Sequence, residues 1–249
     1  MTGKAAGQVT DQAAGRVVLI TGGARGIGRA CADWFSAQGD RVAVTYNNTP
    51  PTDGDAPFAV RCDVTVPEQV EAAFAAVEAR CGPVEVLVAN AGITRDRLVL
   101  RMSEADWGAV IETNLAGAWR VARRAVGPML RAHAGRIVFV SSVSGMMGVP
   151  GQANYAAAKA GLIGLGRSLA RELASRQVTV NVVAPGLVST DMLGALDASR
   201  LAAMLAMVPL GRVAEPAEVA SAIGFLASPS AAYITGAVLA VDGGLGMGM

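Results

Sequence analysis

The 249-residue chain contains a single histidine, His133. A zinc site built from several histidines is therefore excluded, and a Ser-His-Asp triad has only one candidate base. That histidine lies in the polar stretch Arg131-Ala-His-Ala-Gly135, where it reads as a surface residue offering a cation to a helix C-terminus. Cysteine is scarce as well: Cys31, Cys62 and Cys81 are odd in number, widely spaced and free of any CxxC pairing. Neither a disulfide framework nor a thiolate metal site follows, so no metal is expected and a reducing cytoplasm fits. Although 52% of the residues are hydrophobic, no apolar run reaches the roughly 18 residues of a membrane span. Charge is sparse and balanced, 21 basic against 20 acidic residues without a basic cluster, which leaves no electrostatic footprint for nucleic acid. No linker rich in Pro, Ser or charge divides the chain. The expectation is a loose tail over 1–14, polar and Gly/Ala-rich without the apolar core of a secretion signal, and one domain over 15–249.

What is present is an alternation. Short apolar runs at 16–20, 42–45, 58–61, 84–89, 137–140, 178–182 and 238–241 predict strands, and helical periods fill 27–38, 67–80, 104–131, 153–174 and 216–227. Val66-Pro67-Glu68 and Glu215-Pro216 are helix starts. Continuous apolar strands separated by amphipathic helices predict an α/β fold, a seven-stranded parallel sheet flanked by helices as in Rossmann-type three-layer sandwiches. Ligands of such sheets bind beyond the carboxyl ends of the strands, where strand order reverses.

The first strand runs into Thr21-Gly-Gly-Ala-Arg-Gly-Ile-Gly28 and a helix follows. Gly22, Gly26 and Gly28 allow a tight turn and close backbone approach, and the free amides of the new helix can hold a pyrophosphate. Later in the chain Tyr155 and Lys159 stand four residues apart, on one face of a helix, thirteen residues after Ser142. Ketone reduction needs a hydride donor and a proton source, and a neighbouring ammonium is expected to lower the pKa of a phenol that would otherwise titrate near 10. Tyr155 is therefore the expected general acid and Lys159 its activating cation. At the end of the second strand an NAD site would place an acid, and Thr45-Tyr-Asn-Asn48 stands there instead. Arg25, inside the glycine turn, can meet a 2′-phosphate. The cofactor expected is NADPH, with Asn47 a neutral neighbour of that phosphate.

In order along the chain, Thr21-Gly-x3-Gly-x-Gly28, Asp63-Val64, Asn90-Ala-Gly92, Asn114, Ser142, Tyr155-x3-Lys159 and Pro185-Gly186 resemble the short-chain dehydrogenase/reductase family from about 15 to 242. Within that family, Gln152-Ala-Asn-Tyr-Ala-Ala-Ala-Lys-Ala-Gly161, Val180-Asn-Val-Val-Ala-Pro-Gly186 and Val241-Asp-Gly-Gly244 look like 3-oxoacyl-[acyl-carrier-protein] reductases, the actinobacterial branch in particular. The resemblance implies an NADPH-dependent reduction of 3-oxoacyl-[acyl-carrier-protein] in fatty-acid elongation. It implies that Ser142 polarises the substrate carbonyl, that Lys159 also holds the nicotinamide ribose, and that Asn114 binds water in a proton relay. Ile27 would lie in the cofactor turn, Asp63 and Val64 would border the adenine, and Asn90, Ala91 and Gly92 would line the ribose. Val188 and Thr190, after Pro185 and Gly186, would meet the carboxamide. Met147 and Met192 would border the acyl chain, the Met- and Leu-rich stretch 191–212 could form a lid, and Arg176, with Arg131 and Arg171, would receive the acidic carrier. A cytoplasmic homotetramer is the implied assembly. A ketoreductase for acyl-CoA, polyketide or other carbonyls stays open, as does a non-catalytic NADP-binding scaffold.

Overall fold

A computed structural model of the chain describes residues 15–51, 58–191 and 198–248. The expected tail over 1–14 lies outside these residues. Seven strands pair in the order β3-β2-β1-β4-β5-β6-β7, and every neighbouring pair is parallel. They are β1 Val17–Ile20, β2 Arg41–Tyr46, β3 Phe58–Arg61, β4 Val86–Ala89, β5 Gly135–Val140, β6 Val178–Pro185 and β7 Val238–Val241. All seven sequence-predicted strands are present, with boundaries shifted by a few residues.

The central strands are apolar on both faces because both faces are covered. β1, read Val-Val-Leu-Ile, is fully buried. Its Val17 and Leu19 join a core shared with α2 (Pro67–Cys81), α4 (Ala118–Ala132) and α6 (Ala153–Leu173). Val18 and Ile20 join the opposite core, with α1 (Gly26–Ala37) and α8 (Pro216–Ala227). The chain moves outward from β1 through β2 to β3, then returns to β4 on the other side of β1. That reversal places a crevice beyond the carboxyl ends of β1 and β4.

Local signals explain the helix starts. Pro67 opens α2, and α8 begins with Pro216 and a reciprocal capping box between Glu215 and Glu218. The helix predicted over 104–131 is instead three pieces: α3 (Glu104–Ile111), a π-helical turn (Glu112–Gly117) and α4. Helical periodicity alone does not register one extra residue in a turn. Two short helices went unpredicted, α5 (Ser144–Met147) and α7 (Ala198–Leu205). The latter lies in the Met-rich stretch, of which Met192, Leu193 and Leu196 lie outside the described residues, while Met207 and Leu210 are exposed.

His133 caps α4 in the left-handed conformation, its φ being 51°. Burial pushes the Cys31 thiol up to about 12, and burial with the Asp63 charge pushes Cys62 up to about 11, so neither is poised as a thiolate. Among the described residues no helix is long and apolar enough to cross a membrane, and no group of His, Cys, Asp and Glu could hold a metal ion.

Candidate active site

The glycine turn forms one wall of the crevice. Gly22 and Gly26 adopt φ of +66° and +54°, a region closed to most side chains. At Gly28 the constraint is space: a Cβ there would lie 2.3 Å from the Gly22 carbonyl oxygen. The turn is fastened from below. The Gly23 amide donates to the Thr45 carbonyl of β2 at 2.9 Å. Asn90, just past β4, donates its side-chain amide to the carbonyls of Thr21 (3.0 Å) and Gly22 (3.1 Å), while Thr21 Oγ1 accepts the backbone N–H of Asn90 and Ala91. Ile27 packs against the core beneath.

The start of α1 carries no side-chain cap and no acid in its first turn. Its first amides therefore have no side-chain competitor, and with the glycine cradle they fit a nucleotide pyrophosphate.

Around this turn stand the other expected contacts. Arg25, at the cap of α1, is 79% exposed and pairs with the exposed Asp191 at 3.1 Å. Thr190 approaches the turn closely, its Cγ2 3.2 Å from where a Cβ of Gly26 would lie. Val188 is buried, and Pro185 closes β6 and accepts the Val143 amide. A Cβ on Gly186 would collide with the Asp242 backbone. Asp63 accepts from Thr65 through one oxygen and from Asn47 Nδ2 (3.2 Å) through the other. Its burial favours a raised pKa, but these hydrogen bonds outweigh it and hold the carboxyl below its usual range. Val64 buries its side chain against Gly117, leaving its backbone as the part available to a ligand.

Deeper in the crevice sit the residues expected to carry chemistry. Lys159 is 4% exposed and its Nζ donates to the Val140 carbonyl at the end of β5 (2.7 Å), while Ser141 Oγ donates to the Lys159 carbonyl (2.8 Å). These bonds dock α6 on β5 and bring Lys159 beside the loop after β4, its Nζ 3.6 Å from where a Gly92 Cβ would lie. Ser142 Oγ accepts the Ser144 amide (3.1 Å) and hydrogen-bonds with Tyr155. Met147 ends α5 nearby, 38% exposed.

Asn114 is 1% exposed. The π turn points it inward, where Oδ1 accepts the Ile93 amide (2.8 Å) and Nδ2 donates to the Ile93 carbonyl (2.9 Å). Its amide clamps the loop that carries Gly92.

Two expectations need correction. Lys159 does not lower the Tyr155 pKa in this geometry: the phenol is pushed up to about 12, first by burial, then by the Asp96 charge, with the Ser142 bond acting downward. The ammonium is turned to Val140, and burial brings it down to about 8. Nor does the chain bring Arg176 to this site. Arg176 precedes β6 and contacts His133 Nε2 (2.8 Å) at the amino edge of the sheet, where α4 and α6 also deliver Arg131 and Arg171. Ser142 stands at the carboxyl edge.

Sequence reasoning missed a polar chain along the crevice. Ser144 donates to Gln152 (3.1 Å) and Gln152 to Asp96 Oδ2 (2.8 Å), while Asp96 Oδ1 is buried without a partner. Asn154, fully buried beside Tyr155, donates to the carbonyls of Arg95 and Asp106. The only signal was position, since both Gln152 and Asn154 flank Tyr155 within one helical turn.

Comparison with known proteins agrees with this geometry. The family model described as enoyl-(acyl carrier protein) reductase matches residues 22–246. The 3-oxoacyl-[acyl-carrier-protein] reductase MabA of Mycobacterium tuberculosis is 53% identical over 233 residues, covering 94% of this chain and 94% of that protein. The 3-oxoacyl-[acyl-carrier-protein] reductases FabG of Vibrio cholerae and Escherichia coli are 48% and 46% identical over 239 residues, covering 94% of this chain and 98% of each. A glycine cradle at the switch point of a parallel sheet, a Ser-Tyr-Lys cluster beside it and matches along nearly the whole length lead to one conclusion: the chain belongs to the short-chain dehydrogenase/reductase family.

Proposed function

We propose that the protein reduces 3-oxoacyl-[acyl-carrier-protein] to the 3-hydroxyacyl thioester with NADPH, in fatty-acid elongation. The observation that supports this most is the meeting of Ser142, Tyr155 and Lys159 at the carboxyl edge, beside the glycine cradle. The similar reductases named above carry that activity in their names. When bound, the nicotinamide supplies a hydride to the ketone carbon. Ser142 donates a hydrogen bond to the ketone oxygen and orients it. Tyr155 donates its proton to the oxygen as charge develops there. Lys159, next to Gly92, would hold the ribose hydroxyls of the bound cofactor and add positive field to the site. Asn114 is a positioning residue, fixing the Gly92 loop through Ile93.

NADPH is favoured over NADH because no acid ends β2 and because Arg25 stands at the turn. Its pair with Asp191 is exposed on both sides, so a phosphate displaces the carboxylate at little cost. We also infer a cytoplasmic homotetramer around α4 and α6, whose half-exposed Trp119 suits a subunit contact. Light scattering should then give four times the chain mass of 25.2 kDa.

The deciding assay follows NADPH oxidation with acetoacetyl thioesters on carrier protein and on CoA, each repeated with NADH, and with crotonyl thioester as the enoyl arm. Fast turnover of the carrier form with NADPH is expected. Preference for crotonyl thioester, or no turnover of either ketone, would reject the proposal. Across pH, kcat/KM for NADPH should fall as pH rises through about 8, where the lowered pKa of Lys159 discharges the ammonium. A rate flat to about pH 10, the ordinary lysine range, would remove Lys159 as the working cation.

A further inference from the structure

The dinucleotide reading leaves one cation unused at the edge of the cradle. Arg61 is the last residue of β3 and pairs in register with Tyr46, the last residue of β2. Side chains alternate along a strand, and here the alternation is settled by packing. Phe58, Val60 and Cys62 face the core under α2 and α4, whereas Ala59 faces the core under α1 and α8. Arg61 therefore belongs to the α1 side of the sheet, the side on which Val44 of β2 also lies. Its Nε donates to the Asn47 carbonyl at 3.2 Å, which draws the guanidinium across the carboxyl end of β2. Among the described residues no carboxylate pairs with it. The neighbouring Asp63 directs its oxygens to Thr65 and Asn47 instead.

The turn that carries Arg25 flanks the same strand end, while the Arg25 guanidinium is paired with the exposed Asp191. That turn is tied to β2 by the Gly23–Thr45 hydrogen bond. The end of β2 thus lies between Arg61 and the turn that carries Arg25, with neutral Asn47 and Asn48 following the strand, and Arg25 reaches a ligand there by leaving its exposed partner Asp191. We propose that Arg61 is a second ligand for the 2′-phosphate of NADPH and sets the preference for it jointly with Arg25. This rests on the NADPH reading above. The phosphate is a dianion with three acceptor oxygens, and a planar guanidinium meets such a group through paired N–H bonds. Among the described residues Arg61 spends only Nε, on Asn47, which leaves both terminal nitrogens for a ligand. That backbone bond also holds the side chain in place, so less freedom is lost when phosphate binds. The cation comes from the strand after the one whose end is usually read for cofactor choice, and sheet register alone brings it there.

Isothermal titration of the full chain with NADPH, NADH, 2′,5′-ADP and 5′-ADP tests the proposal on wild type, Arg61→Ala, Arg61→Lys and Arg25→Ala. Arg61→Ala should weaken NADPH and 2′,5′-ADP about tenfold, the scale of one hydrogen bond to a charged group, and leave NADH and 5′-ADP unchanged. Arg61→Lys should recover part of the loss. If Arg61→Ala binds NADPH like wild type while Arg25→Ala loses the preference, the role of Arg61 is overturned and the NADPH reading stands. Equal weakening of NADPH and NADH would also overturn it, reducing Arg61 to a brace for Asn47. If wild type binds NADPH and NADH alike, the NADPH reading itself fails.

Discussion

Tyr155→Phe is expected to lower the rate of ketone reduction about a thousandfold, within the range for loss of a positioned general acid. The variant removes one oxygen and keeps the ring, so packing around α6 and over Lys159, whose Nζ lies 5.5 Å from the ring centroid, should survive. Cofactor affinity should change far less than the rate, because the glycine cradle, Asn90 and Lys159 are untouched. Steady-state turnover of an acetoacetyl thioester, with NADPH binding followed by fluorescence, separates the two. A variant that kept full ketone reduction would remove Tyr155 from the chemistry.

The second large effect is expected from Gly28→Ala. The new Cβ would lie 2.3 Å from the Gly22 carbonyl oxygen and 2.7 Å from Asn90 Nδ2, so rigid backbone must yield rather than a flexible side chain. Overpacking of this kind costs about 1–3 kcal/mol. The displaced amides are those that would face the pyrophosphate, and a misplacement near 1 Å can cost about a hundredfold. A lower melting temperature together with NADPH affinity reduced about a hundredfold is the expected pair of results. The control is Gly108→Ala on α3, where a Cβ meets nothing within 4 Å. There the helix should gain up to about 1 kcal/mol from propensity. Equal behaviour of the two variants would mean that the turn is not packed as described.

The fold was legible because its signal is redundant. Each of the seven strands is an apolar run bounded by polar turns, and β1, β4 and β6 are buried on every residue. The glycine turn and Tyr155-x3-Lys159 were legible because backbone space and helical spacing are local properties. What was not legible depended on contacts distant in sequence. The orientation of Lys159 toward Val140 joins residues 19 apart, and the hydrogen bond of Arg61 to Asn47 joins the ends of two strands. Asp96 and Gln152 are 56 apart and meet only because β4 and α6 converge on the crevice. The lowered tyrosine pKa expected from spacing failed for the same reason: burial, which spacing does not report, outweighs a cation turned elsewhere. Arg176 was placed at the substrate by its position in a pattern, whereas sheet direction puts it at the opposite edge.

The π turn at 112–117 bears on how this region tolerates change. It joins α3, which packs on α6, to α4, which packs on α2 and the sheet. A turn holding an extra residue works as a phase shifter, letting two consecutive helices aim different stripes at different partners without a loop between them. Lengthening or shortening a surface loop changes only reach. One residue taken out of this segment would leave the composition almost intact and rotate everything downstream, turning Asn114 and the α4 stripe away from their partners together.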